Sequence, residues 1–225
     1  MTDHPATNHT HHPEASAAAH DHPRRFSPAL AHRLEAPERK LWLPIEPVLA
    51  QMDLAPGIAV ADIGVGTGYF ALPIAQAIGG SGRVAAVDVS PEMLDLLGQK
   101  IVAAGLTNID CVQAESASTG LASASFDRVL LANVWHEVDD RPATLAEAAR
   151  LLRPGGRVAI LDWSPDVVVT DGPESTPPPG PPLAHRIALL DVQHELVEHG
   201  WNLVSAGPTG KYSWLVLATP PRATT

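Results

Sequence analysis

Residues 60–69 of the chain read VADIGVGTGY, and the rest of the sequence is best interpreted outward from them. An apolar run that ends in glycines predicts a buried strand followed by a turn and then a helix. The glycines stand at every second position, at Gly64, Gly66 and Gly68. They allow backbone conformations that other residues avoid, and they let a ligand lie against bare main chain. We expect that ligand to contain a nucleoside.

A dinucleotide-binding fold uses a similar turn, but its third glycine comes three positions after the second. That position is Tyr69 here, and the glycine comes early, at Gly68. Asp62 also disfavours a dinucleotide, because a carboxylate at the strand end repels the phosphates that a helix N-terminus attracts. An ammonium or sulfonium group suits Asp62 better. An NAD-dependent oxidoreductase is therefore the less favoured alternative.

Composition limits the class of protein further. The chain has 225 residues, 45% of them hydrophobic, which is enough for one sizeable core. A net charge of -10 without a Lys/Arg cluster disfavours nucleic acid and favours a small-molecule partner. No apolar run reaches membrane-spanning length and no signal peptide is recognisable, so we expect a cytoplasmic protein without a membrane partner. The single cysteine, Cys111, lies in a hydrophobic run and is expected to be an inert core residue.

Polar residues follow each of the next predicted strands, at what should be one edge of a parallel sheet. They are Asp88 in the strand 83–89, Glu115 and Ser116 after 108–114, and Asn133 at the end of 126–133. An acidic residue about 20 positions after the glycine turn is placed to bind both ribose hydroxyls. Helices are expected over 67–78, 90–104, 141–152 and 183–198, and further strands over 158–163, 201–206 and 212–219.

These motifs, together with the LRPGG turn at 152–156, stand in the order that is typical of class I S-adenosylmethionine (SAM) methyltransferases. The chain resembles that family over residues 60–163, in particular the small-molecule, type 11 group related to ubiquinone-biosynthesis methyltransferases. The resemblance implies a doubly wound α/β, Rossmann-like sheet of seven strands with the last strand antiparallel. It also implies SAM as cofactor, S-adenosyl-L-homocysteine (SAH) as product, and methyl transfer to a small-molecule acceptor. A SAM-binding or metal-sensing module without turnover is the non-enzymatic alternative.

The resemblance assigns cofactor contacts, and it implies no metal site. The expected contacts are Asp62, Gly64, Gly66, Gly68, Tyr69, Asp88, Val89, Met93, Glu115, Ser116 and Asn133. Glu115 is the nearest match to the acidic residue that holds the adenine amino group in the family, and a solvated loop acid is its alternative.

Three segments supply candidates for acceptor binding: Trp42 before the first strand, Trp135 and His136 after the fourth, and His185 and Arg186 before the last helix. Trp42 and Phe26 are interpreted as lid or pocket wall, with ordinary core aromatics as the alternative. His136 can take a proton near neutral pH and is a candidate catalytic base, with a structural histidine as the alternative.

The remaining segments complete the predicted organisation. Residues 1–25 form a histidine-rich tail that we expect to be disordered, or alternatively to bind a divalent metal weakly. Residues 26–55 form a helical cap, and 56–220 form the domain, followed by a disordered tail over 221–225. The proline-rich insertion 164–182 is interpreted as a lid, or as a tolerated surface insertion. The sequence carries no signal for an oligomeric state.

Overall fold

The computed structural model of the chain describes residues 26–166 and 179–221. The predicted histidine-rich tail, most of the proline-rich insertion and residues 222–225 lie outside the described residues. The strands are β1 (Ala59–Ile63), β2 (Arg83–Asp88), β3 (Ile109–Gln113), β4 (Phe126–Ala132), β5 (Leu152–Trp163), β6 (Asn202–Thr209) and β7 (Ser213–Thr219). The helices are α1 (Ala31–Leu34), α2 (Arg39–Trp42), α3 (Ile45–Met52), α4 (Ala71–Ile78), α5 (Pro91–Ala103), α6 (Arg141–Leu151) and α7 (Leu189–Glu198), with 3-10 turns at Pro28–Leu30, Trp135–Glu137 and Leu183–His185.

The strands form one seven-stranded sheet in the order β3-β2-β1-β4-β5-β7-β6. Strands β1 to β5 run parallel, and β7 lies antiparallel between β5 and β6. The reversal follows from the three-residue turn over 210–212, since so short a connection requires antiparallel neighbours. The predicted fold class, with its reversed last strand, is confirmed.

The sheet is covered on both faces. All five residues of β1 are buried, and they alternate between two clusters of core side chains. Ala61 and its neighbours on one face pack with residues of α6 and α7, while Val60 on the other face packs with α3 and α4. Double coverage explains why β1 is apolar on both faces apart from Asp62, rather than alternating in polarity. No helix within the two described ranges is both long enough and apolar enough to cross a membrane.

Two helices begin later than predicted. The helix after the glycine turn begins at Ala71 rather than Thr67, because Gly64, Gly66 and Gly68 all have positive φ angles, which no right-handed helix contains. The last helix begins at Leu189 instead of 183, because Arg186 and Ala188 have extended backbones that separate it from a 3-10 turn. By contrast, α5 begins as predicted, with the Ser90 hydroxyl accepting a hydrogen bond from Met93 N at 3.2 Å.

The prediction that Cys111 is a core residue is wrong. Cys111 lies on β3, which forms one edge of the sheet, and it is exposed. Burial of part of the side chain and the nearby charge of Asp110 raise the pKa of the thiol, so it is a weak nucleophile near neutral pH.

Candidate functional site

A cavity of about 780 Å³ opens at the carboxyl ends of β1, β2 and β4. This is the point where the chain's path across the sheet reverses, with β2 on one side of β1 and β4 on the other. Open α/β sheets bind their ligands at such a position, and the volume lies within the range of small-molecule sites. The other walls come from the cap helices and from residues 179–182.

The glycine turn forms the floor of the cavity with Gly64 and Gly66, whose φ angles are 74° and 54°. Gly68 does not line it, contrary to the prediction that all three glycines contact the cofactor. A Cβ atom on Gly68 would lie 2.4 Å from Cδ1 of Leu97. The third glycine is needed for close packing of the turn against α5.

Two acids flank the turn. Asp62 is 2% exposed, and burial together with the charge of Asp88 raises its pKa to about 7. Asp88 accepts hydrogen bonds from Gly66 N at 2.8 Å and from Ser90 N at 3.0 Å, which hold its carboxylate at the cavity wall. A cation placed beside Asp62 stabilises its ionised form, because opposite charges lower the pKa of an acid.

Asn133 is the least satisfied polar residue of this wall. Its backbone has a positive φ of 57°, and its N–H donates to Leu161 O at 2.7 Å. Both polar atoms of its side chain are buried, and neither has a hydrogen-bond partner among the described residues. A buried amide without partners costs free energy, so we expect a ligand to supply them.

The opposite side of the cavity is formed by residues after β2 and β3. Val89, Met93, Glu115 and Ser116 all line it, as the resemblance implies. Tyr69 also lines the cavity, and its hydroxyl donates to Leu43 O at 2.5 Å, so this side chain ties the glycine turn to the cap.

His136 lines the cavity between two carboxylates. Its Nδ1 lies 2.8 Å from Asp162 Oδ1 and its Nε2 lies 3.5 Å from Glu137 Oε1, while its backbone N–H donates to Asp162 Oδ2 at 2.9 Å. Burial alone lowers the pKa of the imidazole, but the hydrogen bonds and charges of Asp162 and Glu137 outweigh burial and raise it to about 9. His136 is therefore protonated at neutral pH, which favours the structural alternative over a catalytic base.

The residues predicted to bind an acceptor divide into two groups. Trp42 lines the cavity and packs against Trp163, with ring centroids 5.1 Å apart and planes inclined by 39°. Phe26 lines the cavity too. Trp135, in contrast, is fully buried in the core behind the sheet, where its indole N–H donates to Glu195 Oε2 at 3.3 Å. Its assignment to the acceptor pocket is wrong.

His185 and Arg186 do not line the cavity either. His185 is exposed on a 3-10 turn. The Arg186 guanidinium donates to the carbonyls of Pro179, Pro181 and Ser164 at 2.6, 3.1 and 3.2 Å. Arg186 therefore secures the end of the proline-rich segment, and it is not available to an acceptor's acidic group.

Several cavity and supporting residues have no counterpart in the sequence prediction. Asp162 and Trp163 end β5, and the same rule that places Asp62 and Asp88 at the carboxyl edge could have found them. The cap residues Glu35 and Arg39 could not be found from local patterns. Glu35 accepts hydrogen bonds from Lys100 Nζ, at 2.5 Å, and from the hydroxyl of Thr67, thereby joining the cap to α5 and the glycine turn.

Known proteins share this architecture. Residues 61–160 match the family described as a methyltransferase domain. A demethylmenaquinone methyltransferase of Shouchella clausii is 31% identical over 127 residues, which are 56% of this chain and 53% of that protein. The ubiquinone/menaquinone biosynthesis C-methyltransferase UbiE of Geotalea daltonii is 38% identical over 113 residues, which are 49% and 47% of the two chains. This chain thus spans about half the length of the curated relatives it matches.

The crystal structure of a SAM-dependent methyltransferase from Aquifex aeolicus has the same fold, with a TM-score of 0.78 and 27% identity, and the match covers 86% of this chain and 98% of that one. Residues 61–160 thus match a methyltransferase domain, and the chain has the fold of a SAM-dependent methyltransferase. The resemblance inferred from the motif order is confirmed over this part of the chain. In this domain, the buried acid Asp62 and the unpartnered amide of Asn133 fit a ligand that carries an ammonium, a sulfonium and polar groups.

Proposed function

We propose that this protein transfers the methyl group of SAM to a small-molecule acceptor. The observation that carries the proposal is the unpaired Asn133 amide in a cavity that also presents Asp62, Asp88 and the glycine turn. These groups come from three neighbouring strands, and only the parallel sheet brings them to one edge. The chain covers about half of its curated relatives, so the activity rests on this site rather than on their names.

The proposal assigns one half of the cavity to the cofactor. Asp88 binds the ribose hydroxyls with the carboxylate lone pairs left over from Gly66 N and Ser90 N. Asp62 faces the ammonium, and Asn133 faces the sulfonium side. Val89, Met93, Glu115 and Ser116 surround the adenine. Bound SAM supplies an electrophilic methyl group on a positively charged sulfur.

The proposal assigns the other half to the acceptor. Phe26, Trp42 and Trp163 line it together with the proline-rich residues 179–182. Flat aromatic side chains favour a flat apolar ligand, because ring stacking adds to the burial of apolar surface. The relatives are named for demethylmenaquinone and for ubiquinone/menaquinone biosynthesis. We therefore infer an aromatic, quinone-like acceptor.

The chain's own contribution to the reaction is orientation and exclusion of water. A nucleophile held in line with the methyl group gains most of its rate from position, and the cap removes competing water. His136 already carries a proton at neutral pH, so it holds the loop after β4 and does not accept the acceptor's proton. The acceptor accordingly needs an atom that is nucleophilic without assistance from His136.

Mass spectrometry with methyl-labelled SAM tests the proposal. The parent protein is incubated with a panel of hydroquinones and with a small-molecule extract, and both SAH and labelled products are measured. We expect SAH and one labelled aromatic product. Asp62→Asn should weaken SAM binding about tenfold in calorimetry, whereas Trp163→Leu should keep the parent's SAM affinity and raise the Michaelis constant of the acceptor.

The outcomes separate the alternatives. SAM binding without SAH formation from any acceptor supports a binding module instead of an enzyme. Binding of NADH in preference to SAM supports the oxidoreductase. A labelled product without an aromatic ring contradicts the acceptor class but leaves methyl transfer intact.

A further inference from the structure

Arg39 of α2 is a buried cation in the wall of the cofactor cavity. Its residue exposure is 7%, and it lines the cavity beside the glycine turn. The guanidinium lies 4.0 Å from the centroid of the Tyr69 ring, and Nη1 donates to Leu34 O at 3.1 Å. Its Nε atom is buried and has no hydrogen-bond partner among the described residues.

The charge of Arg39 has no ion-pair partner within the described chain. Glu35 and Tyr69 are the titratable groups that act on it, but Glu35 makes its contacts with Lys100 and Thr67. Burial lowers the pKa of Arg39 to about 10, against the opposing effects of Tyr69 and Glu35. A buried charge is normally paired, since removing it from water otherwise costs several kcal/mol.

The cavity offers few alternatives for binding an anion. The cationic side chains that line its described part are Arg33, Arg39 and His136. Arg33 is exposed, and His136 lies between two carboxylates. Arg39 alone combines burial, a location next to the glycine turn and an unused donor.

The cofactor of the proposed function supplies the missing anion, because its amino-acid end carries a carboxylate as well as an ammonium. We propose that Arg39 binds the carboxylate of that amino-acid end, while Asp62 faces the ammonium. This assignment rests on the proposed function and adds a residue from the cap to it. A guanidinium binds carboxylates through paired donors, which is stronger than a neutral hydrogen bond.

Calorimetry with two ligands tests the assignment without turnover. One ligand is SAH, and the other is decarboxylated SAH, which keeps the ammonium and lacks the carboxylate. We expect the parent protein to bind SAH at least tenfold more tightly than the decarboxylated ligand, in line with a charge-assisted contact. In Arg39→Gln the two affinities should agree within about threefold.

Lys40→Gln is the matched control, because it removes one charge from the adjacent, exposed position of the same helix and should keep the parent's ratio. Circular dichroism establishes that each variant is folded. If Arg39→Gln unfolds, Arg39→Lys replaces it, and its single ammonium should leave a ratio below the parent's.

The measured ratios of affinity for SAH and its decarboxylated form decide whether Arg39 binds the carboxylate. A ratio near one in the parent, or a parent-like ratio in the folded Arg39 variant, means that Arg39 is structural. Loss of the ratio in Arg33→Gln alone assigns the carboxylate to Arg33 and overturns the proposal. If SAH does not bind the parent protein at all, the proposed function fails and this inference fails with it.

Discussion

Replacing Asp162 with asparagine tests the protonation of His136 most directly. Asp162 is fully buried at the end of β5 and accepts hydrogen bonds from His136 Nδ1, from His136 N and, at 2.7 Å, from Trp163 N. Asparagine removes the negative charge and offers a donor where the protein needs an acceptor. The variant should therefore lower the pKa of His136 toward its usual range, since only Glu137 then opposes the effect of burial.

The contribution of protonated His136 to the free energy of unfolding follows from proton linkage. The pKa of His136 is raised from 6.5 to about 9, a difference of about 2.5, and one unit corresponds to about 1.4 kcal/mol, so the charged histidine contributes about 3 to 4 kcal/mol. A raised folded-state pKa means that this stability is fully present below pH 6.5 and is lost as the pH rises through 9. The side chain is only 8% exposed, so solvent screening reduces the value little.

The assay is urea unfolding of the parent and of Asp162→Asn between pH 6 and pH 10, with nuclear magnetic resonance of the His136 ring in parallel. The parent's advantage in free energy of unfolding should shrink by about 3 kcal/mol across this range. Other titrating groups are common to both proteins and cancel in the difference. An advantage that does not change with pH, or a parent His136 that titrates near pH 6.5, would refute the reasoning.

Three other predictions concern the cofactor half of the site and the packing of the glycine turn. Asp88→Ala should weaken SAH binding by about 1.5 to 3 kcal/mol, and the 2′-deoxy ligand should lose less than SAH; equal losses in calorimetry contradict the ribose contact. SAH should bind about tenfold more weakly at pH 5.5 than at pH 7, because protonation of Asp62 near its pKa of about 7 removes the ammonium's partner, and Asp62→Asn should abolish this dependence. Gly68→Ala should lower the free energy of unfolding by about 1 to 3 kcal/mol, because the added Cβ clashes with Leu97. The loss should exceed that of Gly79→Ala, since Gly79 also has a positive φ but no atom within 4 Å of an added Cβ. Similar losses for the two variants in urea unfolding would show that backbone strain dominates.

The sheet could be predicted from the sequence because its signals are local. The apolar run of β1 indicates a strand buried on both faces, and the glycines after it mark the point where the helix cannot yet begin. Ser90 and Pro91 mark the start of α5 by their own chemistry. Strand order follows once the family is recognised, and Asp62 and Asp88 then lie at one edge.

The walls of the cavity depend on side-chain direction and on distant contacts, which local patterns do not specify. Trp135 and His136 are neighbours on one 3-10 turn, yet the first enters the core and the second faces the cavity. The turn is too short to show a hydrophobic periodicity, so the sequence gives no signal for which of the two side chains is buried. Arg39 reaches Tyr69 across thirty positions of sequence, a contact that only the folded cap creates.

Helix α2 has consequences for the order of events in a catalytic cycle. It is a single turn with Arg39 at its first residue and Trp42 at its last, and Trp42 contacts Trp163 in the acceptor wall. A ligand that holds Arg39 therefore also fixes the surface on which an acceptor rests. If Arg39 binds the cofactor as proposed, we expect the cofactor to bind before the acceptor. Because SAH retains the carboxylate, we also expect the methylated product to leave before SAH.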